Sequence, residues 1–386
     1  IDPHCDLYGF CGGCQLQHIT YEGQLSLKTQ KVKDVIERIG HQNPELVKPA
    51  LGPKEPWAYR NKMQMPVGGT KGNIQMGFYA MGSHDIVQGT NCPIQDEGNN
   101  IIAQACYQIA KEFDIEPYDE HTGKGVLRHV IGRIGQSGWM IILVTATEHL
   151  PHQEKWVEKL TERVPQVETI VHNVNGKRTN VILGPKNSVL YGDGTITDHI
   201  KDLRFTLSPH SFFQVNPEQT TVLYDQALAY ADLKGNETVI DAYCGTGTIS
   251  LFLAHKAKHV IGIEIVEPAI INARENAQRN GYDNTEFIVA DAAVEMPKLY
   301  KAGVRPDVIV FDPIRAGCKE EVLTSAAGME PKRIVYVSCN PATMARDIEI
   351  LTHYGYELQE VQPVDMFPMT AHVEAVALLT RSEATQ

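Results

Sequence analysis

The stretch Val239–Ser250, VIDAYCGTGTIS, constrains this chain most. An apolar run ends on an acid, Asp241, passes through a tight glycine turn and opens a helix. Gly245 and Gly247 supply turn conformations that other residues resist, and they let the backbone approach a ligand where a Cβ would collide. A strand, turn and helix of this kind make a nucleotide-sized site. The dinucleotide fingerprint wants a third Gly or Ala where this chain has Ser250, so a pyrophosphate cofactor is the weaker reading.

From Glu237 onward strand and helix patterns alternate, as they do in a parallel sheet covered by helices. The apolar runs of this half end on Asp241, Glu264, Asp291, Asp312 and Cys339. Any one of these acids is equally well read as a helix N-cap or turn residue. Five aligned tips are poorly explained by coincidence, because open α/β sheets bind ligands outside the carboxyl ends of their strands. Glu264 falls about twenty positions after Gly245, where an acid can take both ribose hydroxyls of an adenosyl group. The closing segment HVEAVALLT reads as a buried strand with Glu374 near one end, where lost hydration should raise its pKa. Ahead of the glycine turn, SPHSFFQVNP carries Gln214, and Asn216-Pro217 starts the helix that leads to it.

Three cysteines crowd the beginning: Cys5, Cys11 and Cys14 lie in CDLYGFCGGC, where Gly12 and Gly13 let the backbone wrap an ion or cluster. A fourth ligand is needed, and Cys92, followed by Pro93, is the best candidate. Zinc sites usually combine two close pairs, whereas three cysteines plus a distant Cys-Pro suit a [4Fe-4S] cluster better. His4 and His18 flank the motif and offer replacement ligands for zinc. With eight Cys in all, unevenly placed, the chain is no secreted disulfide scaffold, and a reducing cytoplasm is its expected home.

Between these ends, Tyr21–Ile39 has helical periodicity with Gly40 as the stop, and Lys28, Lys31, Lys33 and Arg38 read as its solvated face. Trp57–Pro66 opens a β-rich region, with alternating segments near 74–79, 127–134, 139–145, 168–174 and 179–183 suggesting a mixed sheet. Arg60, Lys62 and Gln64 share one strand face, and Arg128 lies on another; such faces can track phosphates without reading sequence. The net charge of −12 excludes a generally basic nucleic-acid binder and leaves room only for a local basic face. No apolar run approaches the roughly 20 residues of a membrane span. A length of 386 residues suggests more than one domain, and a first residue of Ile1 instead of Met suggests part of a longer chain.

Asp241, Gly245 and Gly247 resemble motif I of the S-adenosylmethionine (SAM)-dependent methyltransferases. Cys339 in SCNP, Asp312 in DPIRAG and Glu374 in FPMTAHVE resemble the RNA uracil-5-methyltransferase family over nearly the whole chain. With the leading cysteines, the likeness is greatest to its iron–sulfur members acting on 23S ribosomal RNA. The resemblance implies a Rossmann-like class I methyltransferase domain at 206–386. It also implies a mixed α+β region at 1–205 carrying the cluster and binding RNA, with helix 21–39 packing on the catalytic part. By the same resemblance Cys339 is the nucleophile and Glu374 the general base. Gln214, Tyr243, Glu264 and Asp312 line the SAM site, Asp291 joins them from its strand-tip position, and Cys5, Cys11, Cys14 and Cys92 hold the cluster. Ile314 replaces the second Pro usual in Asp-Pro-Pro-Arg, which loosens the turn there. The small β-barrel RNA-binding domain that opens many relatives is not found, as expected of part of a longer chain.

The implied reaction is attack of Cys339 at C6 of a uridine, turned out of its stack, to activate C5 for methylation. Phe212, Phe213 or Phe367 would stack on the base. A cytosine-5-methyltransferase would need an acid at N3, which no motif supplies. An iron–sulfur redox protein would need a second electron partner, and a non-catalytic RNA-binding protein would bind SAM without transfer. No DNA partner is expected.

Overall fold

The computed structural model describes residues 1–383 and contains two seven-stranded sheets. Helix α1 (Tyr21–Arg38) comes first. The first sheet is built from β1 (Lys62–Thr70), β2 (Asn73–Tyr79), β3 (Ile86–Gln88), β4 (Leu127–Ile134), β5 (Trp139–Thr145), β6 (Val167–Val174) and β7 (Lys186–Tyr191). Its order is β3-β2-β1-β4-β5-β6-β7, and only β5 and β6 run parallel. Alternation decides its two faces. Met63, Met65, Val130 and Ile141 point to one side, onto α2 (Glu97–Glu112) and α3 (Gln153–Arg163). Ile131, Met140 and Ile142 point to the other, toward the second half of the chain.

The segment 179–183, expected as a strand, is a loop, and the strand lies later at β7. Buried side chains hold its backbone instead: Asn175 donates to the Val181 and Ile182 carbonyls, and Arg128 to those of Asn175, Lys177 and Thr179. Arg128 is thus spent inside the protein and tracks no phosphate.

A hairpin, β8 (Ile196–Ile200) and β9 (Leu203–Leu207), leads to α4 (Pro217–Ala231) and then to the second sheet. That sheet comprises β10 (Thr238–Asp241), β11 (His259–Glu264), β12 (Thr285–Val289), β13 (Val308–Phe311), β14 (Arg333–Ser338), β15 (Tyr356–Val364) and β16 (Glu374–Arg381). The order is β12-β11-β10-β13-β14-β16-β15, parallel except that β16 runs antiparallel to both neighbours. Parallel strands covered on both faces need apolar residues on both. Val239, Val260, Val310 and Val335 accordingly pack against α4, α5 (Thr248–Ala254) and α6 (Glu267–Arg279), while Ile240, Ile261, Ile309 and Ile334 face the opposite layer. That layer is α7 (Ala292–Lys301), α8 (Glu320–Gly328), α9 (Pro341–Thr352) and α1, whose Val32 and Ile36 are fully buried there. Gly40 is where α1 ends against α9; a Cβ would stand 2.8 Å from the Ile36 carbonyl and 3.2 Å from that of Ala345.

Candidate active site

At the carboxyl ends of β10, β11, β13 and β14 opens a cavity of about 1090 Å³. The glycine turn forms its floor. Gly245 and Gly247 both have positive φ, 54° and 80°, but for different reasons. A Cβ on Gly245 would meet nothing within 4 Å and would project into ligand space, whereas on Gly247 it would stand 3.0 Å from Ala273 and 3.1 Å from Phe287. Gly247 is therefore a packing requirement. Ser250 also gains a role: its hydroxyl donates to Asp241 Oδ2 at 2.7 Å. The other Asp241 oxygen is buried without a partner, and burial pushes this carboxyl up to about 7. An orphaned acceptor facing a cavity calls for a donor from a ligand. Glu264 accepts from the Gly245 and Val266 amides and lines the cavity with Gln214 and Tyr243, an arrangement that fits an adenosyl-methionine.

Asp291 is not brought into the lining. It caps α7 through the Ala293 amide and pairs with Lys319 at 3.2 Å, and both contacts hold its pKa below the usual range. Its charge still reaches Tyr243, so it stands at the outer edge of the site.

Cys339 sits at the turn between β14 and α9. Asn340 caps α9 with Pro341 in its first turn, the Ser338 hydroxyl donates to the Asn340 carbonyl, and Asn340 Nδ2 donates to the Arg315 carbonyl. Beside it, Ser338 pairs with Ala375 in the β14–β16 ladder, so the next residues outward are Cys339 and Glu374, on strands about 4.8 Å apart. Asp312 follows β13 and lines the same cavity. Enclosure pushes both Glu374 and Asp312 up to about 8, with the charge of Asp312 adding to the first and that of Asp241 to the second. The Cys339 thiol is raised too, by burial first and then by Glu374 and Asp312, with Arg315 opposing. The 312–318 turn is not loosened by Ile314, which is 76% exposed at the cavity mouth. The Gly317 amide donates to the Ile314 carbonyl, the Cys318 amide donates to Asp347, and Arg346 donates to the Ala316 carbonyl.

All three candidate stacking residues border the cavity, but Phe213 is buried against Phe205, whereas Phe212 is 72% exposed. Tyr224 on α4 also lines it, buried among Asp312, Glu374 and Asp241, whose charges raise its pKa further. Nothing in the sequence distinguishes Tyr224 from a core tyrosine. Arg315, by contrast, was visible within DPIRAG.

At the far end of the same groove lie Cys5, Cys11, Cys14 and Cys92. Burial raises Cys11 and Cys92 and pushes Cys14 up to about 12, and the neighbouring cysteines add to all three shifts. The Gly13 amide donates to Cys11 Sγ at 3.4 Å, and the Asn100 side chain brackets Cys92 by accepting from its amide and donating to its carbonyl. Gly12 is needed because its backbone lies against Tyr79 and Met81, where a Cβ would come within 3.2 Å. His4 stacks on Trp57 and His18 bonds to Tyr8, so neither joins the group. Among the described residues no three His, Cys, Asp or Glu side chains converge tightly enough for one metal ion. The four thiols line one end of one cavity, and an all-cysteine donor set is of the kind that iron–sulfur clusters take.

The fold and the cavity define a class I methyltransferase, its ligand cradle open to a thiol and two proton-holding carboxyls. A family profile described as tRNA (Uracil-5-)-methyltransferase matches residues 140–382. An uncharacterized RNA methyltransferase of Bacillus cereus is 53% identical over 384 residues, covering 99% of this chain and 84% of that protein. One from Halalkalibacterium halodurans is 52% identical over 381 residues, covering 98% and 83%. The Pyrococcus abyssi tRNA (uracil-54, C5)-methyltransferase, solved with S-adenosyl-L-homocysteine, superposes with a TM-score of 0.77 at 28% identity, covering 96% of this chain and 86% of that one. The chain belongs to the tRNA (uracil-5-)-methyltransferase family, which are SAM-dependent enzymes acting on RNA. Among the described residues no helix is long and apolar enough to cross a membrane.

Proposed function

We propose that this enzyme methylates C5 of a uridine in 23S ribosomal RNA, in the cytoplasm, through a covalent adduct with Cys339. The observation that carries this reading is the meeting of Cys339, Glu374 and Asp312 around the cavity floored by the glycine turn. The four-cysteine groove end supports the ribosomal substrate, since the likeness to the 23S-directed members rests on it.

SAM, when bound, supplies an electrophilic methyl group and leaves as a neutral thioether. The residues do the rest. The Cys339 thiolate adds to C6, breaking the C5–C6 double bond and leaving a pair of electrons on C5 to take the methyl group. Glu374, as carboxylate, removes the C5 proton; the double bond re-forms and the Cys339 sulfur leaves with the bonding electrons. Gln214, Tyr243, Glu264 and Asp312 hold the methyl donor, with Asp291 at its outer edge, and Phe212 stacks on the flipped base. Cys5, Cys11, Cys14 and Cys92 hold a [4Fe-4S] cluster. The reaction is redox-neutral, so the cluster acts as a clamp on the first residues. Residues 1–205 form the cluster and RNA-binding part and 206–386 the catalytic domain, on whose helical layer α1 sits.

The test is a pair of variants with undermethylated 23S RNA. Cys339→Ala should bind SAM and transfer nothing. Glu374→Gln should accumulate a protein–RNA adduct that survives a denaturing gel. Methylation by the first, or lost activity without a band in the second, would refute the covalent route.

A further inference from the structure

On the first sheet, among the described residues, one group of cations forms no ion pair, and although the charge of the buried Asp198 reaches Arg133, no acid answers Lys62. Lys62 on β1 is the direct cross-strand partner of Arg133 on β4, and like charges so placed destabilise a sheet. Arg60, on the same face two residues earlier, donates its Nε to the Lys62 carbonyl at 3.1 Å. The chain has 47 acidic and 35 basic residues, so carboxylates are in surplus. Among the described residues, nevertheless, none of these three cations forms a salt bridge. Arg133 is committed: it is 3% exposed and donates to the carbonyls of Ser208 and Ser211, pinning the turn that leads to Phe212 and Gln214. The Lys62 ammonium and the terminal nitrogens of Arg60 have no such commitment. Burial, then Arg133 and Arg60, push Lys62 down to about 8, and His210 is lowered by burial and the same cluster.

The placement says what is missing. Arg60 and Gln64, on either side of Lys62 along the strand, line the groove between the four cysteines and Cys339. We propose that Arg60 and Lys62, backed by Arg133, bind an RNA backbone phosphate beside the nucleotide whose base enters the cavity. This rests on RNA being the substrate. A phosphodiester supplies the negative charge that Lys62 lacks. It also fixes the register of the strand without reading its sequence, which the exposed Phe212 and the cavity are left to do.

The probe is a single-stranded RNA heptamer with a central uridine, each linkage replaced in turn by a neutral methylphosphonate. Wild type should lose about tenfold in affinity at one particular linkage. Lys62→Met, which keeps the aliphatic stem, should bind the unmodified heptamer about tenfold more weakly and lose less than wild type does at that linkage, where only Arg60 still answers the charge. Its salt dependence should be shallower by about 0.7 in log–log slope, and Lys62→Arg should restore both. SAM binding by Lys62→Met at wild-type affinity shows that the fold is kept. Undiminished RNA binding by Lys62→Met, or an unchanged loss at every linkage, would overturn the proposal. A heptamer bound with the expected pattern while undermethylated 23S RNA is never methylated leaves the phosphate site standing and removes the proposed reaction. Methylation by Lys62→Met with an unchanged KM for RNA does the reverse.

Discussion

Lys28 is the perturbation that tests how the active site is held. Its ammonium donates to Asp365 Oδ1 at 2.6 Å and to the Phe367 carbonyl at 3.1 Å, with the two side chains 2% and 0% exposed. The loop it grips, 365–372, runs straight into Glu374, and other N-terminal residues share the grip. The Gln15 and Leu16 amides donate to the Met369 carbonyl, the Met369 amide donates to Gln24, and Lys31 donates to the Ala371 carbonyl. Removing one partner of a buried ion pair costs about 3–5 kcal/mol, chiefly because the other charge is left without its counterion. Asp365 would keep the Tyr21 hydroxyl at 2.9 Å and the Phe367 amide at 3.2 Å, which places Lys28→Met at the lower end, about 3 kcal/mol. Spread over a chain of this size, that lowers the melting temperature by about 4 °C, or about twice that if the catalytic half melts alone. The double variant Lys28→Met/Asp365→Asn removes the stranded charge and should recover most of the loss in a calorimetric scan. In single-turnover assays Lys28→Met should slow release of the adduct more than its formation, because the misplaced group is the base. A melting temperature within 1 °C of wild type, or equal slowing of both steps, would refute this account of the loop.

The raised carboxyls give a pH signature with a definite sign. Asp312 and Glu374 hold protons up to about 8 when folded and only to about 4 when unfolded, so their contribution to stability is full below that lower value and is lost as pH rises through 8. Calorimetry from pH 6 to 9 should show falling melting temperatures, flattened by Asp312→Asn. Turnover should rise over the same range, because both the base and the raised Cys339 thiol act deprotonated; a flat profile with chemistry rate-limiting would count against these roles. Anaerobically purified protein should absorb near ~400 nm and lose this on Cys14→Ala, whereas stoichiometric zinc and no such band would overturn the iron assignment.

The catalytic half could be read in advance because its physics is repetitive. A strand buried on both faces must be apolar throughout, so its first polar residue marks the tip, and that logic located Asp241, Glu264 and Asp312 directly and Cys339 one residue beyond Ser338. At Asp291 the strand stops earlier, at Val289, and the acid two residues on caps α7 at the outer edge of the cavity. The first sheet was harder. β7 is mostly exposed and carries no alternation, while the β-prone residues of 179–183 are held as a loop by Asn175 and Arg128.

The N-terminal strap was illegible for a different reason. Lys28 sits in a helix with three other cations, and a solvated face is the ordinary reading of such a run. The acid that buries it lies 337 positions away. Helical periodicity reports only neighbours three or four residues apart and is blind to such a partner. The consequence is mechanical. The loop carrying Cys5, Cys11 and Cys14 continues directly into Gln15, Leu16 and α1, and these residues hold the backbone just before Glu374. On the proposed assignment, a cluster on those cysteines would stiffen the approach to Glu374, a mechanical role that a redox-neutral reaction can use.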